Sequence, residues 1–339
     1  MHAWNGGARA LAMACVLLTV SGCGDTNPVS SGDEALFRRP RDFRAEEHAI
    51  ELPSGDTMHY TTTGPEDGKP ILFVHGYPAS PYLYRNVVRE LCAPSSTPYR
   101  CISIALIGFG RSSCPGDGRM VTPTYEADRV DEFIEAIDLH DFVAVVHDWG
   151  GPIGTAAALR HADAMSHLVI LNTFFRWFGE EGLIGTLTTL TGSLFATNRP
   201  VLETFSPAAV EVFMQVFTNR WLGFFDRLAY AVPFADPKLG ACRVRASIGL
   251  FNNANDSGPL FNEITERLAN EWRDRPAVFL WATDDPLLGP NSDLGVEAHA
   301  DMVNSLPQAD TILIEDANHF MQEDQPRVIA HEIDKFLKR

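Results

Sequence analysis

Short, continuous runs of apolar residues alternate with helical segments over most of this chain, and that alternation limits the folds open to it. The runs are four or five residues long: Ile71–Val74, Cys101–Ala105, Phe142–Val146, Leu168–Leu171, Ala277–Leu280 and Thr311–Ile314. Strands that are apolar on both faces are typical of a parallel sheet with helices packed on both sides. The sequence therefore predicts an α/β fold built on a mainly parallel sheet.

The segments between these runs predict helices, with one interruption. The predicted helices are Tyr82–Leu91, Tyr125–Ile137, Pro152–Arg160, Glu297–Asn304 and Arg327–Leu337. The alternation stops over residues 173–262, where Phe, Leu, Thr and Pro are frequent and Ala208–Phe217 is a helical stretch. A helical insertion is the simplest explanation. We therefore predict a core in two parts, 46–172 and 263–339, separated by a helical cap at 173–262.

The first 23 residues have the features of an export signal. Arg9 precedes an apolar run, Ala10–Val20, that is shorter than the roughly 20 residues of a membrane-spanning helix. The run ends in Val-Ser-Gly-Cys23, which resembles a bacterial lipoprotein cleavage box. We expect a signal peptide at 1–23, a lipid on Cys23, a polar tether at 24–45, and an exported protein anchored facing the periplasm or outer membrane. The alternative is an ordinary secretory signal with an incidental cysteine.

The charge balance narrows the possible partners. The formal net charge is −17 and the pI is about 5.0, which disfavours nucleic acids, since binding their phosphates depends on Lys and Arg. We expect no nucleic-acid partner, and membrane contact only through the N-terminal lipid.

Four cysteines lie beyond the signal segment, where an oxidising compartment allows disulfides to persist. Cys92 and Cys101 flank a short Pro/Ser loop and are predicted either as a local disulfide or as two buried thiols. The pairing of Cys114 and Cys242 stays open. Cys/His metal spacings are absent from the sequence, so we expect no metal site.

One turn carries most of the chemical information. Val146-His-Asp148-Trp149-Gly-Gly151 follows a predicted buried strand and opens a helix, the context of the strained elbow that exposes a nucleophile. The nucleophile position holds Asp148 rather than serine, and Val146 replaces the usual first glycine. An aspartate that attacks saturated carbon forms an ester that water can hydrolyse, whereas serine would form an ether. The alternative is a structural Asp that caps the following helix.

Two further residues complete a set in the order nucleophile, acid, histidine. Asp285 follows the strand at Ala277–Leu280 and is predicted to orient the histidine. His319 follows the last strand and is predicted to be the base that activates water. Asp284 competes with Asp285 for the acid role.

A third segment adds hydrogen-bond donors. His75-Gly-Tyr77-Pro follows the strand at Ile71–Val74. The backbone N–H groups of Tyr77 and Trp149 are predicted to form an oxyanion hole. A simple Gly-Pro turn is the alternative.

Together these motifs resemble the haloalkane dehalogenase branch of the α/β-hydrolases, from about Glu47 to the C-terminus. The segments that carry the resemblance are His75–Pro78 with Tyr82–Arg85, Gly108–Ser112, His147–Gly151, Asp285–Pro290 and Asn318–Phe320. The resemblance implies an α/β-hydrolase fold with a mainly parallel eight-stranded sheet and a cap. It implies that Asp148 attacks the halogen-bearing carbon, that His319 activates water on the ester, and that the Trp149 indole N–H binds the leaving halide. No cofactor is expected; the partners are a small apolar substrate and water, and the oligomeric state is not predicted.

The second halide donor is where the chain departs from this family. Family members usually carry Asn at the position of Tyr77, or a Trp in the cap. The cap of this chain has Trp177 and Trp221. Trp177 follows the strand at Leu168–Leu171 closely and either overhangs the site or packs within the cap.

Three other functions remain as alternatives. Epoxide hydrolases resemble the chain at the elbow but use two cap tyrosines, whereas this cap has only Tyr230, and Phe251 stands at the expected second position. β-Lactone decarboxylases share much of the pattern, although a cytoplasmic location is expected of them. A catalytically silent lipoprotein that binds apolar ligands is the third.

Overall fold

The computed structural model describes residues 45–93, 98–115, 121–176, 207–235, 242 and 254–339. Eight strands form one sheet in the order β1-β2-β4-β3-β5-β6-β7-β8. The β1–β2 and β2–β4 pairs are antiparallel and the other neighbours are parallel. The strands are β1 Glu46–Glu51, β2 Thr57–Thr63, β3 Lys69–Val74, β4 Tyr99–Ile104, β5 Phe142–His147, β6 Met165–Leu171, β7 Ala277–Ala282 and β8 Asp310–Ile314. The predicted mainly parallel eight-stranded sheet is confirmed.

The helices cover both faces of this sheet. They are α1 Arg85–Cys92, α2 Pro123–Ala136, α3 Gly150–Arg160, α4 Pro207–Val216, α5 Phe224–Ala231, α6 Ala254–Arg267, α7 Asp293–Ser305, α8 Met321–Asp324 and α9 Pro326–Leu337. One face packs against α2, α3, α6 and α7, and the opposite face against α1 and α9. Because successive strand residues point to opposite faces, Leu72 and Val74 of β3 join the first layer while Ile71 and Phe73 join the second.

The burial of the strands explains which of them the sequence reveals. Every residue of β5 and β7 is buried, which gives continuous apolar runs. The antiparallel strand β1 is exposed or half-buried throughout. Its polar sequence carries no comparable apolar run, so the sequence pattern predicts neither β1 nor β2.

The helices α4 and α5, with the residues between them, form a small apolar unit above the core, which we call the cap unit. Met214, Phe217 and Tyr230 of this unit pack against Leu83 and Phe320 of the core. The helix α6 crosses the predicted cap boundary at residue 262 and belongs to the layer that covers the sheet. Of the helices the structure describes, none combines the length and hydropathy that crossing a bilayer requires.

Two disulfides link the four cysteines beyond the signal segment. Cys92 is bonded to Cys101 and Cys114 to Cys242, with Cα–Cα distances of 5.9 and 6.0 Å. The first joins the end of α1 to β4. The second joins positions 128 residues apart. For Cys92 and Cys101, the disulfide is therefore the alternative that the structure favours.

Candidate active site

The backbone at the end of β5 makes a sharp turn at Asp148. Asp148 has a φ of +52°, a left-handed conformation that strains a residue with a side chain. The surroundings hold it there: its N–H donates to Asn172 O (3.1 Å), and its carbonyl accepts from Thr173 Oγ1 (2.5 Å). A Cβ at Gly151 would lie 1.8 Å from Thr173 Oγ1, so this contact requires glycine. The turn therefore has the strained geometry expected of a nucleophile elbow.

The Asp148 carboxylate is held between a backbone donor and an imidazole. Its Oδ1 accepts from the Tyr77 N–H at 2.7 Å, and its Oδ2 lies 3.4 Å from His319 Nε2. A Cβ at Gly76 would lie only 2.1 Å from Oδ1, so the close approach of this loop also depends on glycine. The Asp148 side chain keeps 13% of its surface exposed, against 2% for His319. Asp148 is thus the more accessible member of the pair.

His319 bridges two carboxylates. Its Nδ1–H donates to Asp285 Oδ2 at 2.8 Å, opposite the nitrogen that faces Asp148. Burial alone would lower the pKa of this imidazole, but the Asp285 and Asp148 carboxylates outweigh burial and raise the pKa to about 10. The ring is therefore an imidazolium at neutral pH, protonated on both nitrogens.

Four hydrogen bonds fix Asp285. Its Oδ1 accepts from the N–H groups of Leu287 (2.8 Å) and Leu288 (3.0 Å), and its Oδ2 accepts from Asn172 Nδ2 (2.7 Å) and His319. Burial opposes ionisation, yet the charge of His319 and these donors hold the pKa of the carboxyl below its ordinary value. The buried Asp285 is thereby kept as a carboxylate beside the imidazolium.

The competing acid, Asp284, does not reach the histidine. It is exposed, and its Oδ2 accepts from Asn219 Nδ2 at 2.7 Å. The structure thus places Asp285, and not Asp284, against His319.

Two supporting residues were missed by the reasoning from sequence. Asn172 joins Asp285 to β7, because its Oδ1 also accepts from Ala282 N at 2.7 Å. His147 donates from Nε2 to His319 O at 2.8 Å. Burial, followed by the charge of His319, lowers the pKa of His147 to about 3, so this ring is neutral. A polar residue directly after an apolar strand was the available signal for Asn172.

Aromatic rings surround the polar centre. The Trp149 ring is buried and meets Phe174 edge-on, with 5.0 Å between centroids. The Tyr77 ring lies 5.7 Å from that of Phe213, and the rings of Phe217 and Phe320 lie 6.1 and 5.0 Å from His319. The reacting groups therefore face largely apolar surroundings.

Some sequence-predicted residues cannot be placed. Trp177, the candidate second halide donor, lies outside the described residues, as do Phe251 and the lipid-attachment candidate Cys23.

Comparisons with known proteins identify the family of this chain. Residues 69–326 match the family model of the alpha/beta hydrolase fold. A haloalkane dehalogenase of Mycobacterium marinum is 31% identical over 307 residues, covering 88% of this chain and 96% of the relative. A cis-3-alkyl-4-alkyloxetan-2-one decarboxylase of Xanthomonas campestris pv. campestris is 27% identical over 303 residues, covering 86% and 95%.

Solved structures agree at the level of the fold. A tetrameric haloalkane dehalogenase of Paraglaciecola agarilytica superposes with a TM-score of 0.71 at 22% identity, covering 88% of this chain and 95% of that one. A mutant haloalkane dehalogenase of Agrobacterium tumefaciens gives a TM-score of 0.70 at 22% identity, covering 90% and 99%.

Proposed function

The chain belongs to the α/β-hydrolase family, as a haloalkane dehalogenase-like hydrolase, and from this premise we propose that it cleaves carbon–halogen bonds through an ester on Asp148. One observation carries the proposal: the nucleophile position of the elbow holds a carboxylate with a histidine 3.4 Å away. A carboxylate attached to saturated carbon is an ester, which a histidine-activated water can hydrolyse. The products are an alcohol, a halide and a proton.

In the first step Asp148 Oδ2 attacks the halogen-bearing carbon. The new C–O bond forms as the C–halogen bond breaks, and the electron pair of that bond leaves with the halide. The Tyr77 N–H holds the other oxygen, Oδ1, at 2.7 Å, which fixes the direction of attack. The Trp149 indole N–H, next to the nucleophile, is the proposed donor to the departing halide.

Ester formation prepares His319 for the second step. The negative charge of Asp148 helps to keep a proton on the imidazole, whose pKa is raised to about 10 in the free enzyme. Once the ester has formed, that charge is gone and the imidazolium releases its Nε2 proton to solvent, which is the proton among the products. Neutral His319 then takes a proton from water, which attacks the ester carbonyl while the Tyr77 N–H stabilises the oxyanion. Collapse of this intermediate breaks the bond between the carboxyl carbon and the alkyl oxygen. That oxygen leaves as the alcohol with the remaining proton of the attacking water, which restores the carboxylate beside protonated His319.

The environment of Tyr230 speaks against the epoxide hydrolase alternative. Such a mechanism needs a cap tyrosine that is free to donate to an epoxide oxygen. The Tyr230 hydroxyl is buried, donates to Glu323, and accepts from Arg85 Nη1 at 3.4 Å. It is therefore already engaged in an ion-pair network between the cap unit and the core.

A β-lactone decarboxylase is the second candidate. The Xanthomonas relative is named as a decarboxylase of an oxetan-2-one, which is a β-lactone, and the match covers 86% of this chain. The two activities differ in their products. The deciding assay offers short bromoalkanes, an epoxide and a 3,4-dialkyl β-lactone side by side, and follows halide, diol and carbon dioxide. Carbon dioxide from the lactone with no halide from any haloalkane would replace the first candidate by the second.

Trapping the ester tests the mechanism. His319→Ala should still form the alkyl ester but hydrolyse it slowly, so intact-protein mass spectrometry should find the mass of the alkyl group on the peptide that carries Asp148. Asp148→Asn is the matched control and should carry no adduct. If Asp148→Asn retains turnover, the nucleophile is another residue.

Export as a lipoprotein anchored at Cys23 is a separate proposal that rests on the N-terminal sequence. Two disulfides in the folded chain support it, because such bonds persist in oxidising compartments. Cys23→Ser should move the protein from the membrane to the soluble fraction of a lipoprotein-processing host. Unchanged fractionation together with unchanged mass of the N-terminal peptide would contradict lipid attachment.

A further inference from the structure

Three large aromatic side chains of the cap unit are exposed to solvent, and all three lie in the five-residue stretch 221–225. Trp221 is 74% exposed, Phe224 63% and Phe225 76%, the highest values among the large hydrophobic side chains of the described residues. The rings of Phe224 and Phe225 lie 5.5 Å apart. Exposed apolar clusters of this kind mark interaction sites on soluble domains. We call these three residues the aromatic face.

The aromatic face is held in place by the packing beneath it. Leu222, between Trp221 and the start of α5, is fully buried together with Tyr230. The Arg227 guanidinium lies 5.2 Å from the centroid of the Trp221 ring. The exposure of the three rings therefore follows from the anchored turn that opens α5.

Arginines collect beside the aromatic face. The residues that bracket it, Arg220 and Asp226, line a surface cavity of about 500 Å³. Four arginines line this cavity. Arg85 and Arg220 are ion-paired there with Asp226 and Glu323, and Arg85 is buried. Arg89 and Arg327 keep 46% and 83% of their side-chain surface exposed and are the guanidinium groups open to a ligand. Exposed Trp and Phe next to Arg is the combination found at membrane interfaces, where the rings sit at the headgroup level and guanidinium groups meet phosphates.

The proposed lipid anchor would hold a bilayer within reach of this face. The proposed lipid on Cys23 is separated from the first described residue, Ala45, by 21 residues (24–44). A chain of that length can span at most about 70 Å, and a compact domain of roughly 300 residues is about 50 Å across. The tether is therefore long enough for any side of the domain to reach the bilayer.

We propose that the aromatic face docks on the lipid surface to which the chain is anchored, so that the active site draws apolar substrates from the membrane. This would be a second membrane contact, in addition to the N-terminal lipid through which alone the sequence predicts one. The cap unit connects the aromatic face with the active site. The ring of Phe213 in α4 lies against that of Tyr77, and the ring of Phe217, directly after α4, lies against that of His319. Trp221, five residues beyond α4, is exposed to solvent. The substrate class this favours is an organohalide that partitions into lipid. The inference rests on the proposed lipid anchor and on the proposed dehalogenation.

Trp221 itself provides the test. The lipid and the apolar N-terminus can hold the full chain on vesicles whatever the cap does, so binding alone is uninformative. The full chain is reconstituted in vesicles of phosphatidylethanolamine and phosphatidylglycerol that carry a spin-labelled lipid. The fluorescence of Trp221 is obtained as the difference between the wild type and Trp221→Phe. Spin labels replace the usual brominated lipids because the enzyme is proposed to attack bromoalkyl groups.

Docking predicts that spin-labelled lipid quenches Trp221 and that vesicles protect it from aqueous iodide. Phe224→Ser with Phe225→Ser should reduce the lipid quenching by about two-thirds, in proportion to the apolar area removed. The control, Val296→Ser with Leu313→Ser, changes two exposed apolar residues of the core and should leave it unchanged.

Two outcomes would overturn the inference. In the first, Trp221 stays as open to iodide on vesicles as in buffer. In the second, Trp221 becomes protected without vesicles as the protein concentration rises, which would assign the face to a second copy. The readout does not depend on turnover, so failure of docking and failure of dehalogenation remain distinguishable.

Discussion

Neutralising Asp148 should lower the pKa of His319 by several units. In the free enzyme, burial opposes the imidazolium, but the carboxylates of Asp285 and Asp148 raise the pKa to about 10. Asp148→Asn keeps the size of the side chain and removes its charge. The same charge disappears when Asp148 becomes an ester, so this variant reports on the proposed switch.

The structure sets the size of the effect. The nearest Asp148 oxygen lies 3.4 Å from His319 Nε2. At an effective dielectric constant of about 20, two unit charges at that distance attract by about 5 kcal/mol. One pKa unit corresponds to about 1.4 kcal/mol, so the loss amounts to about 3–4 units. The pKa of His319 in Asp148→Asn should therefore fall close to the ordinary histidine value of 6.5.

Titration of the ring nitrogens by NMR measures this pKa directly, and His319→Gln assigns the signal. Asp284→Asn is the matched control, since Asp284 is a neighbouring carboxylate that bonds to Asn219 and not to His319. Asp284→Asn should leave the pKa of His319 unchanged. A pKa that stays near 10 in Asp148→Asn would refute the electrostatic switch.

Linkage gives the sign of the accompanying change in stability. The folded-state pKa of His319 lies above its ordinary value. The stability that His319 adds to the folded state is therefore fully present below about pH 6.5 and is lost as the pH rises through about 10. The free-energy difference in unfolding between wild type and His319→Gln should shrink over that interval. An unchanged difference would contradict the raised pKa.

Two further variants test the packing around the site, and a third tests the longer disulfide. Gly76→Ala would place a Cβ 2.1 Å from Asp148 Oδ1, and displacing the carboxylate should lower the rate of halide release by about 100-fold or more. Asn172→Ala removes two buried hydrogen bonds, one of them to a carboxylate, and should lower the free energy of unfolding in urea by about 2–4 kcal/mol. Cys114→Ser opens the link to Cys242 across 128 residues and should destabilise the fold by about 4–5 kcal/mol in the chain-entropy account.

Matched controls separate these effects from general damage. Gly258→Ala, with nothing within 4 Å of the added Cβ, should leave activity unchanged. Cys92→Ser opens a link across only 9 residues and should cost about half as much as Cys114→Ser. Equal losses in the free energy of unfolding for Cys92→Ser and Cys114→Ser would contradict loop closure as the main cause. Full activity of Gly76→Ala would show that the reaction tolerates displacement of the Asp148 carboxylate.

The sequence by itself determined the layered α/β class and the order of the chemical residues along the chain. The buried strand β5 is apolar at each position from Phe142 to Val146 and ends in a turn whose residues suit an exposed side chain. Such information is local, because hydrophobic periodicity and turn chemistry are set by neighbouring residues. For the same reason the half-exposed strand β1 was not delimited.

Only the tertiary structure decided which side chains meet. Asp284 and Asp285 are adjacent in sequence, yet Asp284 faces solvent whereas Asp285 accepts hydrogen bonds from Asn172, directly after β6, from the backbone of the loop after β7, and from His319. Asn172 comes within reach of Asp285 because β6 and β7 pair in parallel, which brings their carboxyl ends to the same edge. Contacts between residues more than a hundred positions apart depend on strand register and on the packing of whole helices, and no local pattern encodes either.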